Sequence, residues 1–437
     1  MEQKNYSQQD RREERRKRRQ RNQIAAYITL IVLIAALATG IVFLVRFLTQ
    51  RGQTDTAANN QSKVEEILAS EETIQMQEPA QTTEQLTNEQ RLDEIVNAGI
   101  EVMPLEDKVA GLFIVTPESI TGVSTAVQAG EGTQEALARY AVGGMVYFSQ
   151  NMQSQEQLAE MIDNTLLYTK YPLFIAVDEE GGSVARVADA GIGQTVDSAQ
   201  AIGQSGDANI AYQAGATIGT YLSQLGFNLD FAPVADLANV ENSVMASRSY
   251  GSDPAVVSGF VTSMMQGLEE QNVTACLKHF PGIGSSTQDT HDGLASTDRS
   301  AEDFRANEFA VFQAGIDAGA NMIMVGHMAA PSLTGDNTPC SLSSSVVTDI
   351  LRTELNFEGV IITDALNMSA VSEYYSSDEA AVLALRAGCD MLLMPEDFET
   401  AYNGVLQAVQ DGTISEERIN DSLRRIYRIK YADRVTE

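Results

Sequence analysis

Short apolar runs alternate with amphipathic segments along the chain from about residue 92 onward. Each run is apolar at successive positions, which is typical of strands buried on both faces of a parallel sheet. The segments between them, such as 255–271, 301–318 and 378–387, have the polar and apolar spacing of helices that cover such a sheet. The eight runs are 111–116, 143–149, 172–178, 227–234, 274–280, 321–328, 360–364 and 390–394.

Eight strand–helix units in residues 93–437 predict an α/β fold with a single (β/α)8 TIM-type barrel. An open, doubly wound sheet is the alternative, because it is built from the same alternation. In a barrel, the side chains that do chemistry lie at the carboxyl ends of the strands. Polar residues at the ends of the runs are therefore the candidates for an active site.

The N-terminal 92 residues have a different pattern. Residues 24–45 carry no charge over 22 positions, enough helix to cross a hydrocarbon core of about 30 Å. Basic residues crowd the preceding segment, which by the positive-inside rule stays in the cytoplasm. We therefore predict a cytoplasmic tail at 1–23, a single-pass transmembrane helix at 24–45 and an extracytoplasmic remainder. A cleaved signal peptide is the alternative, although the apolar run exceeds the usual length.

Residues 46–92 are rich in Gln, Thr, Glu, Asn and Ser and poor in aromatic residues. Such a composition buries too little apolar surface to fold by itself. The sequence therefore predicts a flexible stalk that links the membrane helix to the barrel.

Charge is unevenly distributed. The chain has 60 acidic and 29 basic residues, a net charge of −31, yet residues 1–22 hold nine basic and four acidic side chains. The acidic remainder should be repelled by nucleic acid, so we expect no nucleic-acid partner. Cys276, Cys340 and Cys389 are 64 and 49 residues apart, which excludes a disulfide framework or a CxxC metal site.

Polar residues end five successive apolar runs, from the third to the seventh. An acidic residue at one strand end is often only a helix cap. Five strands that deliver titratable groups to one rim instead predict a catalytic pocket. These residues are Asp178 to Glu180, Asp230 with Asp236, Lys278 with His279, His327, and Asp364.

The loop GIGSSTQDTHDG at 282–293 follows the fifth run. Asp289 and His291 are two positions apart, so the carboxylate can hold one imidazole nitrogen while the other faces a substrate. An unperturbed histidine titrates near pH ~6.5, which suits proton transfer in both directions. The alternative is an ordinary surface histidine.

Asp364 ends the buried run VIITD at 360–364. Its functional interpretation is a nucleophile held rigidly by its strand; its alternative is a helix N-cap. The three histidines form no HxH or HxxxH pair, and Lys278 beside His279 would repel a cation. We therefore expect neither a metal site nor a cofactor.

From about Met103 the chain resembles the bacterial β-N-acetylhexosaminidase branch of glycoside hydrolase family 3. The resemblance rests above all on the combination of KHFPG with a following D-x-H loop. The matching motifs are DEEGGSVARV at 178–187, NLDFAPVAD at 228–236, SRSYG at 247–251, KHFPGIG at 278–284, DTH at 289–291 and VIITDALNM at 360–368.

The resemblance implies a role for each matching residue. Asp364 is the nucleophile, His291 the acid and base, and Asp289 the residue that orients His291. The implied reaction is retaining and proceeds through a covalent glycosyl-enzyme. The residues implied to bind the sugar are Asp178, Arg186, Arg248, Lys278 and His279.

Two positions depart from the family pattern. Ile283 stands where the motif commonly has a second histidine, and we expect a changed loop contact without loss of activity. Ser183 occupies a position that is Arg in some relatives, which affects contacts beyond the cleaved residue.

Together these features predict a membrane-anchored, exo-acting β-N-acetylglucosaminidase. Its expected substrate is terminal β-linked N-acetylglucosamine on cell-wall glycan or its fragments. The alternatives are a glycosidase or glycoside phosphorylase for another β-linked sugar, an inactive glycan-binding barrel, and a membrane scaffold.

Overall fold

Eight short strands pair in parallel and close into a barrel in the computed structural model, which describes residues 87–286 and 293–432. Each of the eight predicted runs coincides with one of these strands, although β9 extends one residue beyond its run, and the alternative of an open sheet is wrong. An antiparallel hairpin, β4 with β5, follows the third barrel strand. The strands are β1 Phe113–Val115, β2 Gly144–Val146, β3 Phe174–Val177, β4 Glu179–Gly181, β5 Val184–Ala185, β6 Leu229–Asp230, β7 Thr274–Phe280, β8 Met322–Val325, β9 Val360–Ala365 and β10 Met391–Leu393.

The barrel closes in the order β1, β2, β3, β6, β7, β8, β9, β10 and back to β1. Sequential barrel strands are therefore neighbours throughout, which is the arrangement that short right-handed crossovers give. The predicted tail 1–23, transmembrane helix 24–45 and most of the stalk 46–92 lie outside the described residues, as do Asp289 and His291. Among residues 87–286 and 293–432, no helix combines the length and the apolar character needed to cross a membrane.

Helices surround the barrel. The predicted helix 301–318 is interrupted at Asn307, whose backbone (φ −123°, ψ −78°) is not helical. The helices are α1 Asn88–Glu101, α2 Leu105–Ala110, α3 Pro117–Thr121, α4 Glu131–Arg139, α5 Gln155–Tyr168, α6 Arg186–Asp189, α7 Ala199–Ser205, α8 Ala208–Leu225, α9 Pro254–Glu269, α10 Ala301–Ala306, α11 Glu308–Asp317, α12 Pro331–Thr334, α13 Ser369–Ser372, α14 Ser377–Ala387, α15 Phe398–Gln410 and α16 Glu416–Lys430, with 3₁₀ turns at Ser149–Asn151, Ile283–Ser285 and Cys340–Leu342 and a π-helix at Ser345–Glu354.

Helix α16 crosses the N-terminal end of the barrel. Ser422 donates to Asp390, which precedes β10, at 2.8 Å, and Lys430 Nζ donates to the carbonyl of Gly143, which precedes β2, at 2.6 Å. Both partners lie at the beginnings of strands. Helix α16 therefore covers the end of the barrel at which the strands begin, opposite their carboxyl ends.

Helix α1 begins inside the segment 46–92 that was predicted as a linker. Thr87 and Gln90 form a capping box, in which each side chain accepts the other residue's backbone N–H. Arg428 of α16 pairs with Asp93, so α1 is tied to the helix beneath the barrel. The folded unit thus starts before residue 93, because three apolar side chains give this polar segment a buried face: Leu92, Val96 and Ile100.

Candidate active site

A cavity of about 400 Å³ opens at the carboxyl ends of the barrel strands. Most of its polar lining comes from β3, β6 and β7 and the segments that follow them. The described residues to which the resemblance assigns a role all line it: Asp178, Arg186, Arg248, Lys278, His279 and Asp364. Four other residues of the predicted rim are buried and are not part of this lining: Glu179, Asp230, Asp236 and His327.

Asp364 lies on β9, one residue before the strand ends. Its Oδ1 accepts the backbone N–H of Ala365 at 2.8 Å. The next helix, α13, starts only at Ser369 and has no side-chain cap, so the N-cap alternative is wrong. The carboxylate is instead held at the rim of the cavity by the strand itself.

Asp364 is held in its ionised form. Burial by itself raises its pKa, but its neighbours, first His279 and then the Ala365 N–H and Lys278, outweigh burial and bring the pKa below its usual value. The group is therefore an anion at neutral pH, as a carboxylate nucleophile must be.

Two carboxylates and two cationic side chains form a continuous network of ion pairs along one wall of the cavity. Lys278 Nζ lies 2.5 Å from Asp178 Oδ1 and 2.7 Å from Glu180 Oε1. Glu180 also accepts Arg248 Nη2 at 2.6 Å and Nε at 2.8 Å. Because the Lys278 side chain is only 2% exposed, its charge requires these partners.

The pKa of Glu180 reflects this setting. Burial raises it, whereas Lys278 and Arg248 lower it more strongly, to about 2. The two carboxylates in turn raise the pKa of Lys278 despite its burial. Glu180, Lys278 and Arg248 are therefore charged at neutral pH, and this wall can hydrogen-bond a ligand with several hydroxyl groups.

Glu180 was not among the predicted sugar-binding residues. The only sequence signal was a second acid next to Glu179. The hairpin β4–β5 determines which of the two side chains faces the cavity. Glu179 accepts the N–H groups of Val187 and Ala188 at 2.7 and 3.0 Å and the hydroxyl of Tyr221 at 2.7 Å. It therefore fastens the start of α6, while Glu180 lines the cavity.

Arg186 begins α6 and lies beside the ring of Phe148, with its guanidinium 6.0 Å from the ring centroid. Its Nε is buried and has no hydrogen-bond partner within the described part of the chain. A buried donor without a partner is costly. This N–H is consequently available to an acceptor on a bound ligand.

His279 is backed by a buried acid, Asp236, which was predicted at the rim but to which the resemblance assigned no role. Asp236 Oδ2 lies 2.7 Å from His279 Nδ1 and accepts the His279 backbone N–H at 3.2 Å. Asp236 Oδ1 accepts the N–H of Ile283 at 2.7 Å. Asp236 lies just after the fourth predicted run, whereas its partners lie within and just after the fifth. Only folding brings these two segments together.

A second histidine lies near Asp364. His327 is fully buried; its Nε2 donates to the carbonyl of Ala365 at 2.9 Å, and its Nδ1 lies 2.7 Å from the hydroxyl of Ser341. Burial lowers the pKa of His327. The ring is therefore neutral at pH 7, with its proton on Nε2 because a carbonyl only accepts.

Most of the remaining lining is apolar, with Asn367 after β9 as a polar exception. The apolar residues include Val146 on β2, Met324 on β8, Met368 after β9, Leu393 at the end of β10 and Met394 just after it. A cavity with a polar arc and an apolar arc suits a pyranose, which has hydroxyl edges and a C–H face.

The two departures from the family pattern lie in different surroundings. Ile283 is buried and lines the cavity. Ser183 is exposed in the turn between β4 and β5. In residues 87–286 and 293–432, no group of three or more His, Cys, Asp or Glu side chains is placed to hold a metal ion.

The fold and the cavity place this protein among the (β/α)8 barrels that bind a small polar ligand at the strand ends. A model of the N-terminal domain of glycosyl hydrolase family 3 matches residues 104–429. The chain therefore belongs to glycoside hydrolase family 3.

Individual relatives agree with this family. The chain is 35% identical over 272 residues to a beta-hexosaminidase of Nitrosomonas eutropha, covering 61% of this chain and 77% of that protein. It is 28% identical to beta-hexosaminidase A of Pseudoalteromonas piscicida, covering 81% of this chain but only 62% of the relative.

A solved structure is also similar. It is a family 3 beta-N-acetylglucosaminidase from Paenibacillus sp. str. FPU-7, with a TM-score of 0.72 and 33% identity. The match covers 76% of this chain and 63% of that chain. More than a third of that protein thus has no counterpart in the match.

Proposed function

We propose that this protein is an exo-acting β-N-acetylglucosaminidase that works by a retaining, two-step mechanism. The observation that supports it most is the ionised carboxylate of Asp364 at the rim of a cavity of about 400 Å³. This space accommodates a single sugar residue, which favours removal of terminal residues. The relatives named beta-hexosaminidase indicate the class of sugar.

In the proposed mechanism, the polar wall binds the hydroxyl groups of the terminal sugar. Asp178, Lys278 and Arg248 provide charge-assisted hydrogen bonds, and Arg186 offers its unpaired N–H. Asp364 then attacks the anomeric carbon and forms the glycosyl-enzyme. His291, oriented by Asp289, protonates the departing oxygen and later deprotonates the attacking water. These last two roles rest on the sequence motif.

Activity is tested with the full-length chain and the nitrophenyl β-glycoside of N-acetylglucosamine. Release of nitrophenol that depends on Asp364 supports the proposal. Parallel assays with the β-glucoside, and with and without phosphate, separate it from a glucosidase or a phosphorylase. Proton NMR of the first-formed sugar tests the mechanism, since a retaining enzyme releases the β-anomer first.

We further propose that residues 24–45 anchor the enzyme in the cell membrane, with residues 1–23 in the cytoplasm. The polar segment up to residue 86 then serves as the stalk, and cell-wall glycan or its fragments are the substrate. The support is the uncharged run with basic residues before it. Protease treatment of intact cells tests the topology: digestion of the barrel supports it, and protection of the barrel contradicts it.

A further inference from the structure

Asp236 and His279 form a buried pair at the edge of the cavity. Asp236 is fully buried, and it receives three N–H groups: two from His279 and one from Ile283. Both carboxylate oxygens are thus engaged as acceptors. Toward Nδ1 of His279 the carboxylate is also the acceptor, so this nitrogen carries the proton.

Nε2, the other ring nitrogen of His279, is available to a ligand in the cavity. His279 is one of the cavity-lining residues, and Nδ1 is occupied by Asp236. With the ring proton on Nδ1, Nε2 is an acceptor for a hydroxyl of the ligand.

We propose that Asp236 is a positioning residue of this active site, which holds His279 in the Nδ1–H form so that Nε2 faces the sugar beside Asp364. The expected effect on kcat/KM rests on the proposed glycosidase function, whereas the position of the proton on the His279 ring does not. The titratable and charged groups around His279 are Asp236 after β6, Asp364 on β9, His327 after β8 and Lys278 on its own strand.

The substitution Asp236→Asn isolates this role. Asparagine has nearly the same shape, and its carbonyl oxygen can still accept the N–H of Ile283. With its carbonyl oxygen on Ile283, its amide group donates to Nδ1 of His279, which moves the ring proton to Nε2, and the His279 backbone N–H loses its acceptor. A hydrogen-bond acceptor toward the ligand thereby becomes a donor. A hydrogen bond to a charged group is worth about 1.5–3 kcal/mol, so we expect kcat/KM to fall by roughly 10–100-fold.

Asp163→Asn is the matched control, because it makes the same chemical change away from the site. Asp163 is exposed on α5 and does not line the cavity. This variant should remain within about threefold of the wild type.

A double-mutant cycle tests whether Asp236 acts through His279. The kcat/KM for the nitrophenyl β-N-acetylglucosaminide is measured for Asp236→Asn, His279→Gln and the double variant. If Asp236 acts through the ring, adding Asp236→Asn to His279→Gln costs less than about threefold. If the loss of kcat/KM in the double variant equals the product of the losses in the two single variants, the inference is overturned. Thermal unfolding of each variant separates this effect from misfolding.

The ring itself can be observed without any activity. The chain has three histidines, so ¹⁵N-histidine labelling of the full-length protein in detergent gives few signals, and His279→Gln assigns the relevant pair. We expect the Nδ1–H form in the wild type and the Nε2–H form in Asp236→Asn. The same form in both proteins would overturn the inference. If the wild type is inactive on the test substrate but Asp236→Asn still moves the ring proton from Nδ1 to Nε2, only the proposed function is contradicted.

Discussion

Glu180 and Arg248 are joined by two hydrogen bonds, one from Nε at 2.8 Å and one from Nη2 at 2.6 Å. The same carboxylate holds the ammonium of Lys278 at 2.7 Å. One acid from the hairpin β4–β5 therefore fixes two cations that come from other segments of the barrel. Their remaining N–H groups are thereby preorganised for a ligand.

Replacement of this acid should weaken substrate binding. In Glu180→Gln the amide cannot accept both Arg248 and Lys278 as an anion does, so the buried Lys278 and the half-buried Arg248 lose a charged partner. We expect kcat/KM to fall roughly 100-fold, mainly through KM. Glu131→Gln, on the exposed side of α4, is the control and should leave both constants unchanged. An unchanged KM in Glu180→Gln would exclude the proposed role.

Glu180 should also make stability depend on pH. Its pKa is about 2 in the folded protein, below the usual 4.5, so it stabilises the fold above about pH 4.5 and this contribution is lost as the pH falls toward 2. The free energy of unfolding of the wild type should therefore approach that of Glu180→Gln as the pH falls. Denaturant titrations between pH 6 and pH 3 measure this difference, and a constant difference would contradict the assignment.

Asp364→Ala should abolish turnover. No other carboxylate among the described residues lies at the end of β9, so the covalent step loses its nucleophile. We expect kcat to fall by roughly 10⁴-fold on every substrate. Circular dichroism checks that the variant is folded. A folded variant with more than a tenth of the original activity would exclude Asp364 as the nucleophile.

His291→Ala should distinguish between leaving groups. A sugar alcohol needs a proton when it departs, so its cleavage should slow by about 10²–10⁴-fold. Nitrophenolate departs without a proton, and the first step on its glycoside should change little. Rates on a β-linked disaccharide and on the nitrophenyl glycoside give the comparison. Equal losses on both would count against His291 as the acid.

Phe280 tests the packing that supports β7. Its fully buried ring stacks on Phe309 at 5.3 Å and meets the edge of Phe312 at 5.1 Å. Phe280→Ala should lower the free energy of unfolding by about 3–5 kcal/mol, because it leaves a cavity between β7 and α11. Tyr374→Ala, at a side chain that is 59% exposed, should change it by less than about 0.5 kcal/mol.

The strands were predictable because a barrel strand is buried on both faces, which makes it a continuous apolar run. The start of α1 was not, because Asn88 and its neighbours are polar, and the burial of Leu92 and Val96 becomes evident only in the folded protein. The hairpin β4–β5 was also missed. Its strands are three and two residues long, too short for periodicity to show.

The sequence by itself determined the order of the strands, the carboxylate at the end of β9 and the motifs that resemble family 3, because these are properties of contiguous segments. Only the tertiary structure decided which acid of the pair Glu179 and Glu180 faces the cavity. It likewise decided that Asp236 supports His279. Such pairings join residues 43 or more positions apart, and their geometry depends on how the barrel closes, which no local pattern contains.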